Sequence, residues 1–238
     1  MNYVVPRPPQ GQKRFIDIWH IELDGIDSSG YLKSTFLAED ELYRASLFRF
    51  ERDKQRFLAR RIALRRILSE YSGIAPDQQI VLRSNQQKPY ISNSWVQFNT
   101  SHSANIALVG VSSEPIGIDI EQHKEDANEL RKLAKSILTP VELNQFNALS
   151  KSQTAKSFYQ YWTLKEAYLK AIGLGLSIDP RQLEINLASL TVTSVPCMQT
   201  AAKWHLMLVK LQQNFSVAIA TPDATLTPNL LLFADLID

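Results

Sequence analysis

A chain of 238 residues, of which 45% are apolar and 21% charged, has the composition of a soluble globular protein and the length for one large domain or two smaller halves. Its single cysteine, Cys197, excludes an intrachain disulfide and a zinc site built from cysteines. Prolines interrupt the start of the chain, and no run of about 18 apolar residues occurs. We therefore expect a cytoplasmic protein that is neither exported nor inserted in a membrane.

The net charge of +2 conceals a basic segment from Arg44 to Arg66, which holds nine basic and two acidic residues and so carries a local charge of +7. Before this segment, the β-branched and aromatic residues from Phe15 to Leu23 predict a strand. Helical patterns follow from about Ala38 and again from about Asp53 to Tyr71. Much of the positive charge is therefore predicted to lie on helices.

Arg52, Arg56 and Arg60 recur every four residues on the second of these helices and so form a row on one side. A solvated basic face is the common explanation of such a row. Acidic residues nearby are too few, however, for the mixed charges of an ordinary solubilising face. The row therefore indicates a binding site for a polyanionic or acidic partner.

The segment between the basic helix and residue 117 is predicted to contain short strands. Residues 80–84 and the segment that starts at Pro89 form a strand pair, with Lys88 and Pro89 at the bend. Residues 106–111 form an apolar run short enough for a buried strand. Residues 99–103 are predicted to form a turn that precedes this strand and lies near the carboxylates that follow it.

Asp119 and Glu121 lie two residues apart in Gly-Ile-Asp-Ile-Glu, where apolar and polar residues alternate with the period of a strand. Both carboxylates then project from one face with their Cβ atoms about 6–7 Å apart, while Ile118 and Ile120 face a core. Two carboxylates at this spacing can share a hard cation such as Mg²⁺. Because Asp-x-Glu also occurs often by chance, the spacing alone does not establish a metal site.

The second half of the chain is predicted to be helical at first and then β-rich. Residues 122–150 are helical, with a capping box and an early proline at Thr139–Glu142. The next helix is predicted from about Thr154 to Gly173 or Gly175, glycines suited to a helix end. From Leu183 onward, apolar segments predict strands that close the second half.

The helix after Thr154 carries three charged residues near one another. Glu166 and Lys170, four residues apart at the edge of its apolar arc, are most simply an exposed ion pair. Lys165 falls within the apolar arc, so its stem either extends along the aromatic residues or its buried ammonium needs a carboxylate or an anionic ligand. Together with the carboxylate strand and the basic helix, they supply the groups that phosphoryl transfer requires.

Two of these segments resemble signatures of the 4′-phosphopantetheinyl transferase superfamily, in its larger single-chain (Sfp-like) branch. Gly117-Ile-Asp-Ile-Glu121 is similar to G-[IV]-D-[IV]-E, and Trp162-Thr-Leu-Lys-Glu-Ala-Tyr-Leu-Lys170 to [FW]-[ST]-x-K-E-[AS]-x-x-K. Lys88-Pro89 and Phe98 to Ser103 match further marks of the branch. The resemblance implies an α+β pseudodimer of two similar halves, residues 1–114 and 115–238, each a small, mainly antiparallel sheet packed with helices, with the ligand in the cleft between them.

The resemblance also implies an activity, the transfer of the 4′-phosphopantetheine arm of coenzyme A to a serine of an apo acyl carrier protein or of a carrier domain in polyketide or peptide synthases. Adenosine 3′,5′-bisphosphate is released. Asp119, Glu121 and Glu166 are implied to hold Mg²⁺, with Mn²⁺ as an alternative. Either Glu166 or a metal-bound water takes the serine proton, and Lys170 neutralises the leaving phosphate.

The positions implied to contact coenzyme A extend over both halves of the chain. They are Arg44, Arg56, Lys88, Pro89, Ser101, His102, Asp119, Lys165 and Lys170. Among them, Arg44, Arg56 and His102 are implied near the 3′-phosphate. Glu41 stands where another lysine is expected, so recognition on the adenine side is expected to differ in detail.

Three other functions agree less well with these residues. A nucleic-acid-binding protein that uses the arginine-rich helix is the main alternative, but no zinc-finger, zipper or RNP-like motif occurs. A two-carboxylate glycosidase gives no role to Lys170. A serine hydrolase built on Ser101 and His102 fails because adjacent residues of an extended segment point to opposite faces. We therefore expect a Mg²⁺-dependent transferase that acts as a monomer and binds neither nucleic acid nor membranes.

Overall fold

The computed structural model describes residue 11 and residues 13–28, 36–84, 88–124, 126–174, 178–194 and 204–237. Most of the lead-in before the first strand, residues 85–87 just before the predicted bend at Lys88 and Pro89, and Gly175 lie outside these ranges. The helices and strands of the described residues are β1 (Ile16–Glu22), α1 (Glu39–Ser46), α2 (Glu51–Ser72), β2 (Val81–Arg83), β3 (Pro89–Ile91), β4 (Gln97–Ser103), β5 (Ile106–Ser112), β6 (Gly117–Gln122), α3 (Ala127–Ala134), α4 (Pro140–Asn147), α5 (Lys151–Ala171), β7 (Glu184–Asn186), β8 (Thr191–Ser194), β9 (His205–Val209), β10 (Phe215–Thr221), β11 (Pro228–Leu232) and α6 (Ala234–Ile237).

A four-stranded sheet in the order β11-β1-β5-β4 carries the long basic helix on one face. β5 pairs antiparallel with both β1 and β4, whereas β11 pairs parallel with β1. Ala63 and Ile67 of α2 pack against Ile21 and Val109, all of which are buried. The apolar side of α2 therefore faces this sheet.

A three-stranded antiparallel sheet in the order β6-β10-β9 carries the second long helix, α5. Leu164 and Tyr168 of α5 pack with Ala218 and Ala220 of β10 in a second buried cluster. Each of the two larger sheets is thus covered by one long helix, while β2-β3 and β7-β8 form separate two-stranded sheets. The expected α+β class with small, mainly antiparallel sheets is confirmed.

The two sheets pack against each other through an aliphatic core. Ile18 and Leu108 from the first sheet contact Ile118, Ile120 and Ile219 from the second, and all five are buried. Burial of one such side chain contributes about 1.5–3 kcal/mol. The alternation in β6 therefore works as predicted, because its isoleucines fill this core and leave the carboxylates on the opposite face.

The last strand corrects one expectation from the sequence. The apolar segments after Leu183 were predicted to close the second half, but β11 extends the first sheet instead. Leu231 packs against the core of that sheet, and Asn229 Nδ2 donates to Asp17 Oδ1 of β1 at 3.3 Å. Chain order alone cannot indicate such a return. The division into residues 1–114 and 115–238 stays a prediction.

Several helix ends follow local signals in the sequence. α2 ends at Gly73, whose φ of +67° is the left-handed conformation that glycine adopts easily. Thr139 and Glu142 form the predicted capping box, with Pro140 at the first position of α4. α5 begins at Lys151, slightly before the predicted Thr154. No helix of the described residues is long and apolar enough to cross a membrane.

Candidate active site

Side-chain oxygens of β4 join the two sheets. Asn99 Oδ1 accepts from the backbone N–H of Ile118 at 3.0 Å, and Ser101 Oγ accepts from Ile120 N at 3.4 Å. Ser103 Oγ continues the series by accepting from Gln122 N at 3.0 Å. Three alternate residues of β4 therefore supply the hydrogen bonds that a neighbouring strand would otherwise provide to β6.

Two of these hydroxyls also hold the predicted carboxylates. Ser101 Oγ donates to Asp119 Oδ1 at 2.7 Å, and Ser103 Oγ donates to Glu121 Oε2 at 2.9 Å. The predicted closeness of residues 99–103 to the carboxylates is confirmed. The predicted turn is wrong, because these residues belong to strand β4 and their period of two matches that of β6.

Lys170 of α5 completes a polar cluster around Asp119. Its Nζ donates to Asp119 Oδ1 at 2.6 Å, to Ser101 Oγ at 3.1 Å and to the carbonyl of Ile118 at 3.3 Å. Only 8% of Glu166 is exposed. The simple interpretation of Glu166 and Lys170 as an exposed ion pair is therefore wrong, because the partner of Lys170 lies on β6.

Burial raises the pKa of each carboxyl group in this cluster, and neighbouring carboxylates add to the rise for Glu121 and Glu166. Burial, followed by the charges of Asp119 and Glu121, raises the pKa of Glu166 to about 7 even though Lys170 opposes the shift. The pKa values of Asp119 and Glu121 are also raised, chiefly by burial. Asp119 Oδ2 and Glu166 Oε1 are buried, and neither has a hydrogen-bond partner among the described residues. Burying carboxylate oxygens without partners destabilises the folded protein unless a proton or a cation binds to them.

Trp162 and Ser103 contact the cluster, although no functional role of its own is predicted for either residue. Trp162 Nε1 donates to Glu121 Oε1 at 3.4 Å, from the helix that also carries Glu166. Alternating polar residues on β4 were the available signal for Ser103. No three Asp, Glu, His or Cys side chains within the described ranges stand together as a preformed metal-binding group.

Lys88, an implied coenzyme A contact, lies between the strand and the helix that carry the cluster. Its Nζ donates to the carbonyls of Ile116 at 3.0 Å and Ala171 at 2.9 Å, and so links the start of β6 to the end of α5. Burial lowers its pKa to about 8. An ammonium group has three donors, and two of those of Lys88 are used by acceptors among the described residues.

Lys165 does not contact the site. Its side chain is fully buried, and Nζ donates to Glu142 Oε2 at 2.6 Å and to the carbonyls of Ile137 and Pro180 at 2.9 Å each. All three ammonium hydrogens are engaged. The implied coenzyme A contact at Lys165 is therefore wrong, whereas the need of a buried ammonium for a carboxylate partner is confirmed.

Replacing Lys165 with Met is expected to lower the free energy of unfolding by about 3 kcal/mol, because the buried carboxylate of Glu142 loses its counter-ion. The affinity for coenzyme A should not change. Urea denaturation and calorimetric titration measure the two quantities. Lys156→Met, at an exposed position of the same helix, serves as the control and should change the unfolding free energy by less than about 0.5 kcal/mol. A tenfold loss of affinity in Lys165→Met would restore its role in binding.

The basic helix has more acidic partners than its sequence suggests. Arg56 Nε and Nη2 donate to the two carboxylate oxygens of Asp24 at 2.6 and 2.7 Å. Buried Glu41 accepts from Arg61 Nε at 2.6 Å and from Arg65 Nε at 2.8 Å. The expectation of an unpartnered arginine row is therefore wrong for Arg56. Glu41, in place of the expected lysine, anchors α1 to α2.

Two cavities lie between α2 and β4 and share part of their walls. One, of about 240 Å³, is lined by Arg44, Pro89 and Lys170 among others. The other, of about 360 Å³, is lined by Arg44, Ser101 and His102 among others. Desolvation and the charges of Arg60 and Lys170 lower the pKa of His102 to about 4. Five of the nine implied positions therefore line these two neighbouring cavities, namely Arg44, Pro89, Ser101, His102 and Lys170.

Comparisons with known proteins agree with this arrangement of motifs. Residues 28–115 match the family described as "4′-phosphopantetheinyl transferase, N-terminal", and residues 115–220 match the "4′-phosphopantetheinyl transferase superfamily". The 4′-phosphopantetheinyl transferase HetI from Nostoc sp. is 36% identical over 223 residues, which cover 91% of this chain and 92% of that protein. The 4′-phosphopantetheinyl transferase Sfp from Bacillus subtilis is 25% identical over 194 residues, 79% of this chain and 84% of that protein.

Among solved structures, a holo-(acyl-carrier-protein) synthase from Bacillus anthracis is 27% identical and covers 44% of this chain and 92% of its own, with a TM-score of 0.35. An overlap of this extent carries no argument about the whole fold. The identity with HetI, in contrast, extends over nearly all of both chains. This chain therefore belongs to the 4′-phosphopantetheinyl transferase superfamily, in its larger single-chain (Sfp-like) branch.

Proposed function

We propose that this chain transfers 4′-phosphopantetheine from coenzyme A to a serine of an apo carrier protein and releases adenosine 3′,5′-bisphosphate. The observation that carries the proposal is the convergence of Asp119, Glu166 and Lys170 beside an arginine-lined cavity, since Lys170 and Arg44 line the same space. Phosphoryl transfer depends on positioning and on neutralising the charge that develops on phosphate oxygens. The three side chains and the arginines of the cavity can position the substrate and neutralise this charge.

In the proposed reaction, the serine oxygen forms a bond to the β-phosphorus of coenzyme A. The bond from that phosphorus to the bridging oxygen breaks, and its electron pair leaves with adenosine 3′,5′-bisphosphate. Glu166 takes the serine proton, and its pKa in the cation-free site is about 7 because of burial and the neighbouring carboxylates. Lys170, held within 2.6 Å of Asp119, lies one helical turn from Glu166 and neutralises the leaving phosphate.

The carboxylate cluster fits a divalent cation such as Mg²⁺ or Mn²⁺. Its donors are carboxylate oxygens, which hard cations prefer. Two of them, Asp119 Oδ2 and Glu166 Oε1, are buried and have no hydrogen-bond partner in the part of the chain that the structure describes. Asp119, Glu121 and Glu166 would hold the ion. A bound cation would offset negative charge on the pyrophosphate.

The same proposal accounts for the pseudodimer implied by the resemblance. Each of the two larger sheets is covered by one long helix, α2 or α5. Residues of both helices, including Phe57 and Lys170, line the cavity of about 240 Å³. These features support a ligand cleft between two halves of one chain, and hence a protein that acts as a monomer.

The expected partners follow from the same chemistry. We propose acyl carrier proteins and the carrier domains of polyketide or peptide synthases as acceptors, and the cytoplasm, where coenzyme A is available, as the location. Nucleic acid and membranes are not proposed as partners. The ion pairs of Arg56 and Arg61 with Asp24 and Glu41 support this choice, because they reduce the charge available to a phosphate backbone.

Purified protein, incubated with Mg²⁺ and coenzyme A, is expected to add the mass of phosphopantetheine to an apo acyl carrier protein. Mass spectrometry of the carrier measures the reaction. A carrier whose acceptor serine is replaced by alanine is the control and should remain unmodified. If no acyl or peptidyl carrier among several gains the mass, the proposed function is wrong.

A further inference from the structure

Glu121 is the carboxylate of the cluster whose two oxygens are both held by hydrogen-bond donors. Ser103 Oγ donates to Oε2 at 2.9 Å, and Trp162 Nε1 donates to Oε1 at 3.4 Å. Asp119 Oδ2 and Glu166 Oε1, in contrast, have no hydrogen-bond partner among the described residues. A glutamate side chain rotates about one more bond than an aspartate side chain, so it has more orientations to lose. Two donors from two different elements therefore hold the carboxylate of Glu121 in one orientation.

The backbone of β6 directs the hydroxyl of Ser103 at this carboxylate. A serine hydroxyl has a single O–H donor and two acceptor lone pairs. The backbone N–H of Gln122 donates to Ser103 Oγ at 3.0 Å and so uses one lone pair, while the O–H donates to Glu121. Because Gln122 directly follows Glu121, the strand that carries the carboxylate also orients the hydroxyl that holds it.

The donors to Glu121 are neutral, whereas Asp119 is paired with an ammonium group. Lys170 Nζ lies 2.6 Å from Asp119 Oδ1. No lysine or arginine within the described ranges forms an ion pair with Glu121. A neutral donor orients a carboxylate without neutralising its charge, and each carboxylate oxygen keeps a second lone pair. Glu121 is therefore oriented and still able to bind a cation.

We propose that Ser103 is a positioning residue for the divalent cation, because it holds Glu121 in the orientation in which this carboxylate binds the ion. Trp162 supports the same orientation from α5. This inference rests on the proposed function, in which Glu121 shares the cation with Asp119 and Glu166. Hydrogen bonds to metal ligands orient those ligands, and their loss usually weakens metal binding about 10- to 100-fold.

A purely structural role is the alternative for Ser103. Asn99 and Ser101 also accept from backbone N–H groups of β6, and Ser103 extends that series. The two roles differ in what a substitution changes. Loss of a structural hydrogen bond lowers the free energy of unfolding by about 1 kcal/mol and leaves the metal affinity unchanged. Loss of a positioning hydrogen bond weakens metal binding in protein that is still folded.

Titration of the purified, metal-free protein with Mn²⁺ measures this affinity without coenzyme A or a carrier protein, since electron paramagnetic resonance reports the free ion. Ser103→Ala should bind Mn²⁺ about tenfold more weakly than wild type. Ser103→Thr keeps the hydroxyl and should bind within about threefold of wild type. Trp162→Phe keeps an aromatic ring but removes the N–H. It should lose less affinity than Ser103→Ala, because its hydrogen bond is longer, 3.4 Å against 2.9 Å.

Ser112→Ala is the matched control. Ser112 Oγ also accepts from a backbone N–H, that of Glu114 at 3.0 Å, and donates to an oxygen, the carbonyl of Phe15 at 2.9 Å. It lies at the opposite end of β5 from Ile106, the residue that pairs with Ser103. Ser112→Ala should lower the Tm at least as much as Ser103→Ala does, while its affinity for Mn²⁺ stays at the wild-type value.

Each outcome separates the inference from the proposed function. If Ser103→Ala binds Mn²⁺ as tightly as wild type, or if Ser112→Ala weakens binding equally, the inference is overturned and the proposed transfer stands. If wild-type protein modifies a carrier but binds no Mn²⁺, the inference fails together with the proposed cation. If Ser103→Ala alone binds Mn²⁺ weakly and wild-type protein modifies no carrier, the positioning role holds and the proposed function fails.

Discussion

Replacement of Glu166 by Gln is expected to reduce carrier modification by about 10³-fold, within the usual range for loss of a general base, while the fold stays intact. The amide keeps the size of the side chain but cannot take the serine proton or hold a cation as a carboxylate does. The measurement is the initial rate of mass gain on an apo carrier protein at saturating coenzyme A. Activity within about tenfold of wild type would make a water molecule the base and remove Glu166 from that role.

The same substitution is expected to stabilise the metal-free protein at alkaline pH. In the unfolded chain Glu166 ionises near its ordinary pKa of 4.5, whereas in the folded chain its pKa is about 7. The folded state therefore binds the proton more tightly, and its stability falls as pH rises from 4.5 to 7. The shift corresponds to a loss on the order of 3 kcal/mol above pH 7. Glu166→Gln removes this loss, so its Tm in EDTA should exceed that of wild type near pH 8.

Glu142→Gln is the matched control for this stability measurement. Glu142 is buried like Glu166, with 1% of it exposed against 8%, but it is paired with Lys165 at 2.6 Å. Its neutralisation should therefore lower the Tm near pH 8, because the buried ammonium of Lys165 loses its partner. A lower Tm in both variants would show that the ionised carboxylate of Glu166 stabilises the folded protein. That result would contradict the raised pKa of Glu166.

The sequence predicts those parts of the fold that local patterns determine. Alternation in β6 identifies the core isoleucines, and Gly73 and the capping box at Thr139 mark helix ends within a few residues of their positions. These predictions succeed because strand period, left-handed glycine and capping chemistry depend on neighbouring residues. The carboxylates of Asp119 and Glu121 are placed correctly on one face for the same reason.

Partners distant in sequence could not be predicted. Lys165 is paired with Glu142, which lies 23 residues away on another helix, and Arg56 with Asp24, which lies 32 residues away. The helical periodicity of α5 places Lys165 in the apolar arc but does not indicate which carboxylate pairs with it. β11 returns to β1 across nearly the whole chain. In each case the partner is determined by tertiary packing, and the local sequence pattern is compatible with several partners.

The glycine of the Gly-Ile-Asp-Ile-Glu segment sets the distance between β6 and α5. A Cβ atom at Gly117 would lie 2.0 Å from the carbonyl oxygen of Ala167 and 2.5 Å from the backbone nitrogen of Ala171. Both neighbours belong to the backbone of α5 and cannot move by rotation of a side chain. Only glycine lets the helix approach closely enough for Lys170 to reach Asp119 on the strand.

Gly117→Ala is therefore expected to lower the free energy of unfolding by about 4 kcal/mol, beyond the usual range for overpacking because backbone must move. Molecules that remain folded should be inactive, since displacement of α5 separates Glu166 and Lys170 from Asp119. Urea denaturation and the carrier assay measure the two effects. Gly110→Ala on β5 is the control: its Cβ would meet only the side-chain ends of Ile116, Ile18 and Ile118, at 3.0, 3.4 and 3.7 Å. The free energy of unfolding of Gly110→Ala should fall by about 1 kcal/mol, and this variant should retain transfer activity. If the two variants lose equal stability and activity, the contact of α5 with Gly117 does not set the geometry of the site.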